Sequence, residues 1–385
     1  MLNSDFFIHF SVLEDPRITN HNTRHKFTDI FTLAFIANLC GCDNWPEVVA
    51  FCKAKIDFFK EFLELENGIP SHDTFGRVFS VIDSMHLEQL LISWMQTIFN
   101  KTKGEIVAID GKTICASRKK GGKGIHLVNA WACDNKLTLG TLKVDCKTNE
   151  ITAIRSMLKY LNITECTVTI DAIGCQKSIA KEIVKKDANY VLCVKDNQKT
   201  LKQDIELSFR MQDKGMYQHS FDSNTQQEKG HGRTETRRYL TLPIDYFPHL
   251  VDNWPGIKSV AKVIRTRATD DSTSEEIHYY ISSHSYLSPQ IPKAIRKHWN
   301  VENNLHWQLD VSFDEDHCRA RIKNESENIA ILRRISMAFL KEDTTTKDGI
   351  KTKRKKAGWD DKYLLKILHS GCKSDDYVVE QTCKQ

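Results

Sequence analysis

Two short runs constrain this chain most. Ile106-Val107-Ala108-Ile109 and Thr167-Val168-Thr169-Ile170 are continuous, rich in β-branched residues, and each is closed by an aspartate, Asp110 and Asp171. A strand with one wet face alternates apolar and polar residues. A strand apolar on both faces belongs in the middle of a covered sheet. Around these runs, Ile125 to Cys133 and Leu137 to Val144 flank Asp134-Asn135, a hairpin turn signal. The pattern predicts helices from about Asn149 to Leu161 and from Lys177 to Lys186, then a strand from Tyr190 to Val194. The order β-β-β-α-β-α-β describes a mixed α/β sheet with helical crossovers.

Ligands of open α/β sheets collect at the carboxyl ends of the strands. If the two aspartate-closed strands are neighbours, Asp110 and Asp171 stand side by side at that edge. Two unpaired carboxylates repel, and a divalent cation removes the penalty. Hard oxygen donors at an open edge suit Mg²⁺. The competing reading makes both aspartates helix caps or turn formers, as Asp110-Gly111 alone suggests. A third carboxylate lies further on. Ser288-Pro289 opens a helical stretch whose Ile291, Ile295, His298, Glu302, Leu305 and Leu309 recur at three- and four-residue steps. That spacing puts Glu302 on the inward stripe, with His298 and His306 on either side. A buried Glu needs a partner or a metal. Pairing with those histidines is one alternative, and a His-Glu-His zinc site is another, although the spacing is not HExxH. By pattern alone Asp310, Glu315 and Asp316 compete with Glu302.

The rest of the chain divides by pattern. Residues 1–100 form a helical N-terminal domain. Thr28 is placed to cap a helix through Leu39, Asn44 to cap one running to about Phe62, and Ser71 or Asp73 to start a third. Residues 101–216 and 284–345 hold the sheet and its last helices. Residues 217–283 are a β-rich insertion, with strands at Glu235 to Leu242, Ser259 to Thr266 and Ile277 to Ser282. Residues 346–385 are a basic segment and polar tail. With 40% hydrophobic and 27% charged residues the chain can bury a core. No apolar stretch approaches the ~18–20 residues of a membrane span, and the first residues lack the pattern of a secretory signal. The twelve cysteines are scattered without a CxxC pair, as expected of reduced thiols in a cytosolic protein. The net charge of +5 is matched by residues 344–366 alone, where eight Lys and Arg face three Asp. Such a segment is either a solvated helix end or a polyanion contact.

These residues carry a resemblance. Ala108-Ile109-Asp110-Gly111-Lys112, Thr169-Ile170-Asp171-Ala172-Ile173-Gly174-Cys175-Gln176 and His298-Trp299-Asn300-Val301-Glu302-Asn303 resemble the H-repeat-associated family of bacterial insertion-sequence transposases. So do Gly68 to Thr74, Asn149 to Ile154, His231-Gly232-Arg233, Tyr279 to Ser283 and Leu305 to Val311, in the same order, from about Asp15 to Leu368. The resemblance implies an RNase H-like core with a DDE triad, here Asp110, Asp171 and Glu302, and thereby selects Glu302 over its acidic neighbours. It implies two Mg²⁺ or Mn²⁺ ions on those three side chains, hydrolysis of phosphodiester bonds at element ends, and strand transfer into target DNA. The partner would be double-stranded DNA, the location the bacterial cytoplasm at the nucleoid, and the assembly a dimer or more on DNA. The chain departs from the pattern at Cys115, where Arg is usual, and at Asp196, where Gly is usual. On the Glu helix Ile295, His298 and Leu309 occupy the places of a Tyr, an Arg and a Lys. Candidate DNA contacts are Lys112, Lys195, Gln198, Arg233, His298, Trp299, Arg354, Lys355 and Lys356, with Arg118, Lys119, Lys120 and Lys123 in a Gly-rich loop. A nuclease without strand transfer and a catalytically silent DNA-binding remnant are the alternatives.

Overall fold

The structure is a computed structural model that describes residues 5–18, 23–98, 104–118, 124–144, 149–217, 221–230, 233–269 and 272–370. In chain order the first elements are helices α1 (Asp5–Phe10), α2 (Phe27–Leu39), α3 (Trp45–Ala54), α4 (Ile56–Lys60), α5 (His72–Val81) and α6 (Ser84–Ile98). The middle holds β1 (Ile106–Ile114), β2 (Ile125–Ala132), β3 (Leu137–Lys143), α7 (Glu150–Tyr160), β4 (Thr167–Ile170), α8 (Lys177–Lys185), β5 (Asn189–Val194) and α9 (Lys199–Asp213). Then come β6 (Phe221–Gly230), β7 (Arg233–Pro243), α10 (Pro248–Val251), β8 (Ser259–Thr269) and β9 (Thr273–Ser282). The last are α11 (Gln290–His298), α12 (Trp307–Phe313), α13 (Glu325–Glu342), α14 (Ile350–Trp359) and α15 (Asp361–Ser370). None of the described helices is long and apolar enough to cross a membrane.

The chain forms two compact units. One comprises Asn100–Thr113 and His126–Trp307. Its sheet runs β3-β2-β1-β4-β5-β9-β8-β7-β6. The first five strands, with β1, β4 and β5 parallel and β2–β3 an antiparallel hairpin, have the RNase H-like order. The insertion continues this sheet through an antiparallel β5–β9 pair. It carries four strands where three were expected. The extra one, β6, has the sequence FDSNTQQEKG, too polar to show an alternating pattern. The hairpin turn is fixed by Glu105, which is fully buried and accepts from the Asp134 N–H at 2.8 Å and from Asn135 Nδ2 at 2.7 Å.

The other unit comprises Met1–Phe99, Ile114–Ile125 and Gln308–Gln385. Helix α13 is its axis and packs on α2, α5, α6, α14 and α15. Phe6, Phe35, Trp94 and Phe339 meet in its core with ring centroids 4.6–5.2 Å apart. Asn44 and Ser71 cap α3 and α5 by accepting from the N–H of Glu47 and Thr74. Thr28 does not cap: α2 starts one residue earlier, after Lys26, with no side-chain cap. The segment after Asn44 breaks at Lys55 into α3 and α4.

The basic segment in this unit behaves differently from a uniform surface charge run. On α14 Ile350, Lys353, Arg354 and Ala357 share the buried face at helical spacing. Lys353 Nζ donates to the Leu340 carbonyl at the end of α13. Arg354 donates to the Asn38 carbonyl at the end of α2 and pairs with Asp43 at 2.8 Å. Its guanidinium also sits 4.1 Å from the centroid of the Phe313 ring. Cations suit the unpaired carbonyls of helix C-termini. Arg354, 2% exposed, is therefore a helix-capping residue and not a surface DNA contact. Lys355 remains exposed, and Lys356 is half-buried over the Tyr363 ring.

Glu315 and Arg334 are both fully buried in this unit and pair at 2.8 Å, which removes Glu315 from the candidates for a site acid. Removing one partner of a buried ion pair strands the other charge. Glu315→Ala is expected to lower the unfolding free energy by about 3–5 kcal/mol, seen as a lower urea midpoint. The double variant Glu315→Leu/Arg334→Met should recover most of that loss.

Candidate functional site

The register of two parallel strands builds the site. Ile106 to Ile109 of β1 pair with Thr167 to Ile170 of β4, step for step. Asp110 and Asp171 are the next residues on each strand, so they leave the pairing at the same level. Beyond that point the strands differ. β1 runs on to Ile114, so Asp110-Gly111 is extended strand and not the turn its dipeptide suggests. Gly111 lies close to two side-chain ends. A Cβ on it would lie 2.6 Å from His126 Nε2 and 2.8 Å from Glu150 Oε1. β4 stops, and Asp171 caps a single 3-10 turn, Ala172–Gly174, by accepting from the Ile173 N–H at 3.2 Å. Asp171 thus serves as a turn former and as an edge carboxylate together.

Glu302 arrives from α11, which lies on β4 and β5. It opens a π-helical turn, Glu302–His306, closed by the Trp307 N–H donating to the Glu302 carbonyl five residues back. The wide turn changes the expected geometry. Val301, Leu305 and Leu309 are fully buried, while Glu302 is exposed rather than on the inward stripe. His306 reaches the neighbouring strand: its Nδ1 lies 3.6 Å from Asp110 Oδ2. Asp110, Asp171 and Glu302 all line one cavity of about 190 Å³, together with Lys195, His298 and Trp299.

The electrostatics follow from crowding. Burial pushes the Asp110 carboxyl up to about 7, against the pull of the Gly111 N–H, and the charges of Asp171, Glu302 and Glu150 add to the rise. Burial and then the Glu150 charge raise Asp171, while its backbone hydrogen bonds and Lys195 oppose this. Partial burial and then Asp171 raise Glu302. Burial and the Lys195 charge hold His298 down at about 4, so it is neutral.

The sequence reading missed Glu150. It sits at the first turn of α7 behind the Asn149 cap, and it accepts from His126 Nε2 at 3.1 Å. The Glu150 hydrogen bond raises the His126 pKa, and Thr113 Oγ1 holds the other ring nitrogen at 2.9 Å. The sequence shows Glu150 inside the Asn149–Ile154 match and behind the Asn149 cap, which places it on a helix but not beside β1.

The donor chemistry fits a hard divalent cation, because several carboxylates crowd one edge with little positive charge between them. As the side chains stand, the described residues contain no group of three or more His, Cys, Asp or Glu placed to hold one ion. Of the described cysteines only Cys115 is exposed, and none is paired in a disulfide.

The structure distributes the remaining expected DNA contacts unevenly. Lys195 is exposed at the cavity. Gln198 is half-buried and donates to the Cys175 carbonyl at 2.9 Å, a structural tie. Lys112 is 8% exposed. Trp299 is 42% exposed, with the Arg265 guanidinium 5.7 Å from its ring centroid. Asp196 is exposed and paired with Lys202 at 2.9 Å, so its negative charge is balanced locally. Arg233 opens β7, and its side chain lies outside the described residues, as do His231, Gly232, Lys119, Lys120 and Lys123.

Comparison with known proteins bears on these residues together. The family profile described as "Transposase DDE domain" matches residues 101–339. The one described as "DDE_Tnp_1-associated" matches residues 7–95. The chain is 38% identical over 370 residues to "Putative transposase YncI" of Escherichia coli O157:H7, with 94% of each covered. It is 35% identical over 367 residues to "H repeat-associated putative transposase YhhI" of Escherichia coli K12, covering 94% of this chain and 96% of that one. Among solved structures it aligns with a piggyBac transposase synaptic complex with hairpin DNA at 13% identity and a TM-score of 0.41, covering 98% of this chain and 78% of that one.

The Asp110 shift has a consequence for stability. Its folded-state carboxyl, near 7, holds its proton to higher pH than the ordinary 3.8. Folding therefore binds a proton between those values, and stability falls as pH rises through that window. The penalty is absent below about 3.8 and complete above about 7. In EDTA, the melting temperature of the wild type should gain more than that of Asp110→Asn as pH is lowered from 8 to 5. Equal slopes for the two proteins would contradict the burial of an uncompensated carboxylate.

Proposed function

We propose, because the chain belongs to the DDE transposase family, that it cuts DNA at the ends of an insertion-sequence element and joins those ends to target DNA. The observation that carries this reading is the in-register exit of Asp110 and Asp171 from neighbouring parallel strands, with Glu302 lining the same cavity. Asp110, Asp171 and Glu302 are the residues that would hold divalent cations there. Such ions supply Lewis-acid polarisation and charge neutralisation at a phosphoryl group.

The chain's own residues do the rest. The two strands fix Asp110 and Asp171 on a rigid frame, so their placement costs no reorganisation when substrate arrives. Glu302 reaches the same cavity from a helix, on the exposed side of its π turn. Neutral His298 adds no charge to the cavity wall. His306 stands beside Asp110 and is positioned to hold that carboxylate's orientation. Lys195 supplies positive charge for a DNA phosphate next to three acids. Exposed Trp299 offers a face for stacking on an unpaired base. Transfer at two element ends calls for at least two copies on the DNA, and the bacterial nucleoid is where they would act.

The test uses the purified chain, Mg²⁺ or Mn²⁺, and labelled duplexes carrying the repeats that flank its own coding region. Joined products are the expected result, and Asp110→Ala or Glu302→Ala should slow their formation by roughly 100-fold or more. Cleavage without joining would reduce the function to a nuclease. Binding without cleavage, alike for wild type and Asp110→Ala, would make the chain a silent DNA-binding remnant.

A further inference from the structure

The cavity that holds the three acids has a second wall, made by the insertion. Side chains alternate across a sheet with a period of two. In the observed register Arg237 of β7 faces Arg265 of β8, and Glu235 faces Arg267. Arg265 in turn faces Glu276 of β9, while Val263 faces His278. These residues therefore share one face of the sheet. Its end nearest the acids is the wall: Arg237, Val263, Arg265, His278 and Tyr280 all line the cavity with Asp110, Asp171 and Glu302.

Two arginines directly opposite each other on neighbouring strands repel. Here one carboxylate holds them. Glu235, itself nearly buried, accepts from Arg237 Nη2 and from Arg265 Nε at 3.0 Å, and lies 3.8 Å from Arg267 Nη2. Three guanidiniums share this one buried anion, helped by Glu228 at 3.3 Å from Arg237 and Glu276 at 3.5 Å from Arg265. Arg237 Nη1 is buried, and its partner is the Glu228 carboxylate. Arg265 also lies against the Trp299 ring. The face is thus a fixed set of guanidiniums beside a cavity whose other wall is acidic.

We propose that Arg237 and Arg265 form a phosphate clamp that grips the DNA backbone beside the bond to be cut, with Glu235 as the internal anion that keeps the two guanidiniums aimed. This deepens the transposase reading and rests on it. A polyanion cannot approach three carboxylates on hydrogen bonds alone, and rigid arginine forks bind phosphate oxygens in a defined direction. A lysine would supply the charge without the fork. Glu235 satisfies the arginines before DNA arrives, so little side-chain entropy is lost on binding. Arg237 and Arg265 are positioning residues: they fix the substrate strand, and they do not touch the proton or the leaving oxygen.

The experiment separates the clamp from the chemistry. DNA affinity is measured by fluorescence anisotropy across a salt series, in EDTA, with the Asp110→Asn chain as the uncut background. Arg265→Ala and Arg237→Ala, each in that background, should weaken binding roughly tenfold and reduce the slope of log affinity against log salt by about 1 each. Arg265→Lys should keep the salt slope. In an otherwise wild-type chain with Mg²⁺ it should still slow cleavage at saturating DNA, because the strand is held less exactly. Melting temperatures within a few degrees of the parent identify folded variants, and Arg265→Gln serves if Arg265→Ala does not fold. Folded variants with unchanged affinity and salt slope overturn the clamp and leave the transposase reading standing. A wild type that binds DNA through these arginines but never cuts overturns the transposase reading and leaves the clamp. A wild type with no affinity for DNA overturns both.

Discussion

Like charges meet where β1 and β4 separate, and most of the unit that carries the large sheet is arranged around that fact. The pairing of Ile109 with Ile170 sends Asp110 and Asp171 out side by side. Neither aspartate can move away without breaking the buried ladder behind it, since Ile106 to Ile109 are fully buried and Thr167 to Ile170 are nearly so. The apolar strands thus spend hydrophobic stability to hold two carboxylates where electrostatics alone would separate them. Glu150 and Glu302 add to the same crowding. Carboxylates crowded together at a cost to folding are the usual signature of function rather than of structure.

How much of this was readable in the sequence depends on whether the signal is local. The buried strands show as β-branched runs, and Asn44, Ser71 and Asn149 show as caps, because both depend on neighbours in the chain. Asp110, Asp171 and Glu302 stood out because each lies inside a motif several residues long. What failed was non-local. Glu302 is exposed although its spacing put it on the inward stripe, and His306, which by spacing could pair with it, lies beside Asp110. Arg237 and Arg265 reach the cavity through sheet register, and Glu150 reaches His126 through helix packing, which no short window of sequence records. β6 has no apolar alternation to find.

The basic residues show the same limit from another side. A count of charges between 344 and 366 cannot tell which cations face solvent. Helical spacing puts Lys353 and Arg354 on the buried face of α14, where they close the carbonyl ends of α13 and α2. Lys355 stays outside. Meanwhile the cations that line the acidic cavity, Lys195, Arg237 and Arg265, lie far apart in the sequence and are brought together by the sheet. A basic run marks solubility or helix termination as readily as it marks nucleic-acid contact, and only the surroundings distinguish them.

The insertion explains why those arginines can be aimed at all. It is not a separate body tethered by loops, since β9 pairs with β5 from Val191–Ser282 to Val194–Tyr279. The joint is reinforced at its end, where the Tyr190 N–H donates to Ser283 Oγ and Ser282 Oγ donates to the Tyr190 carbonyl. β5 in turn pairs with β4, which carries Asp171. One continuous ladder therefore runs from the acidic edge to the arginine face. A tethered domain would have to find its orientation in each complex and would lose entropy in doing so. A shared sheet fixes that orientation during folding, so the acids and the arginines stand on one preformed surface.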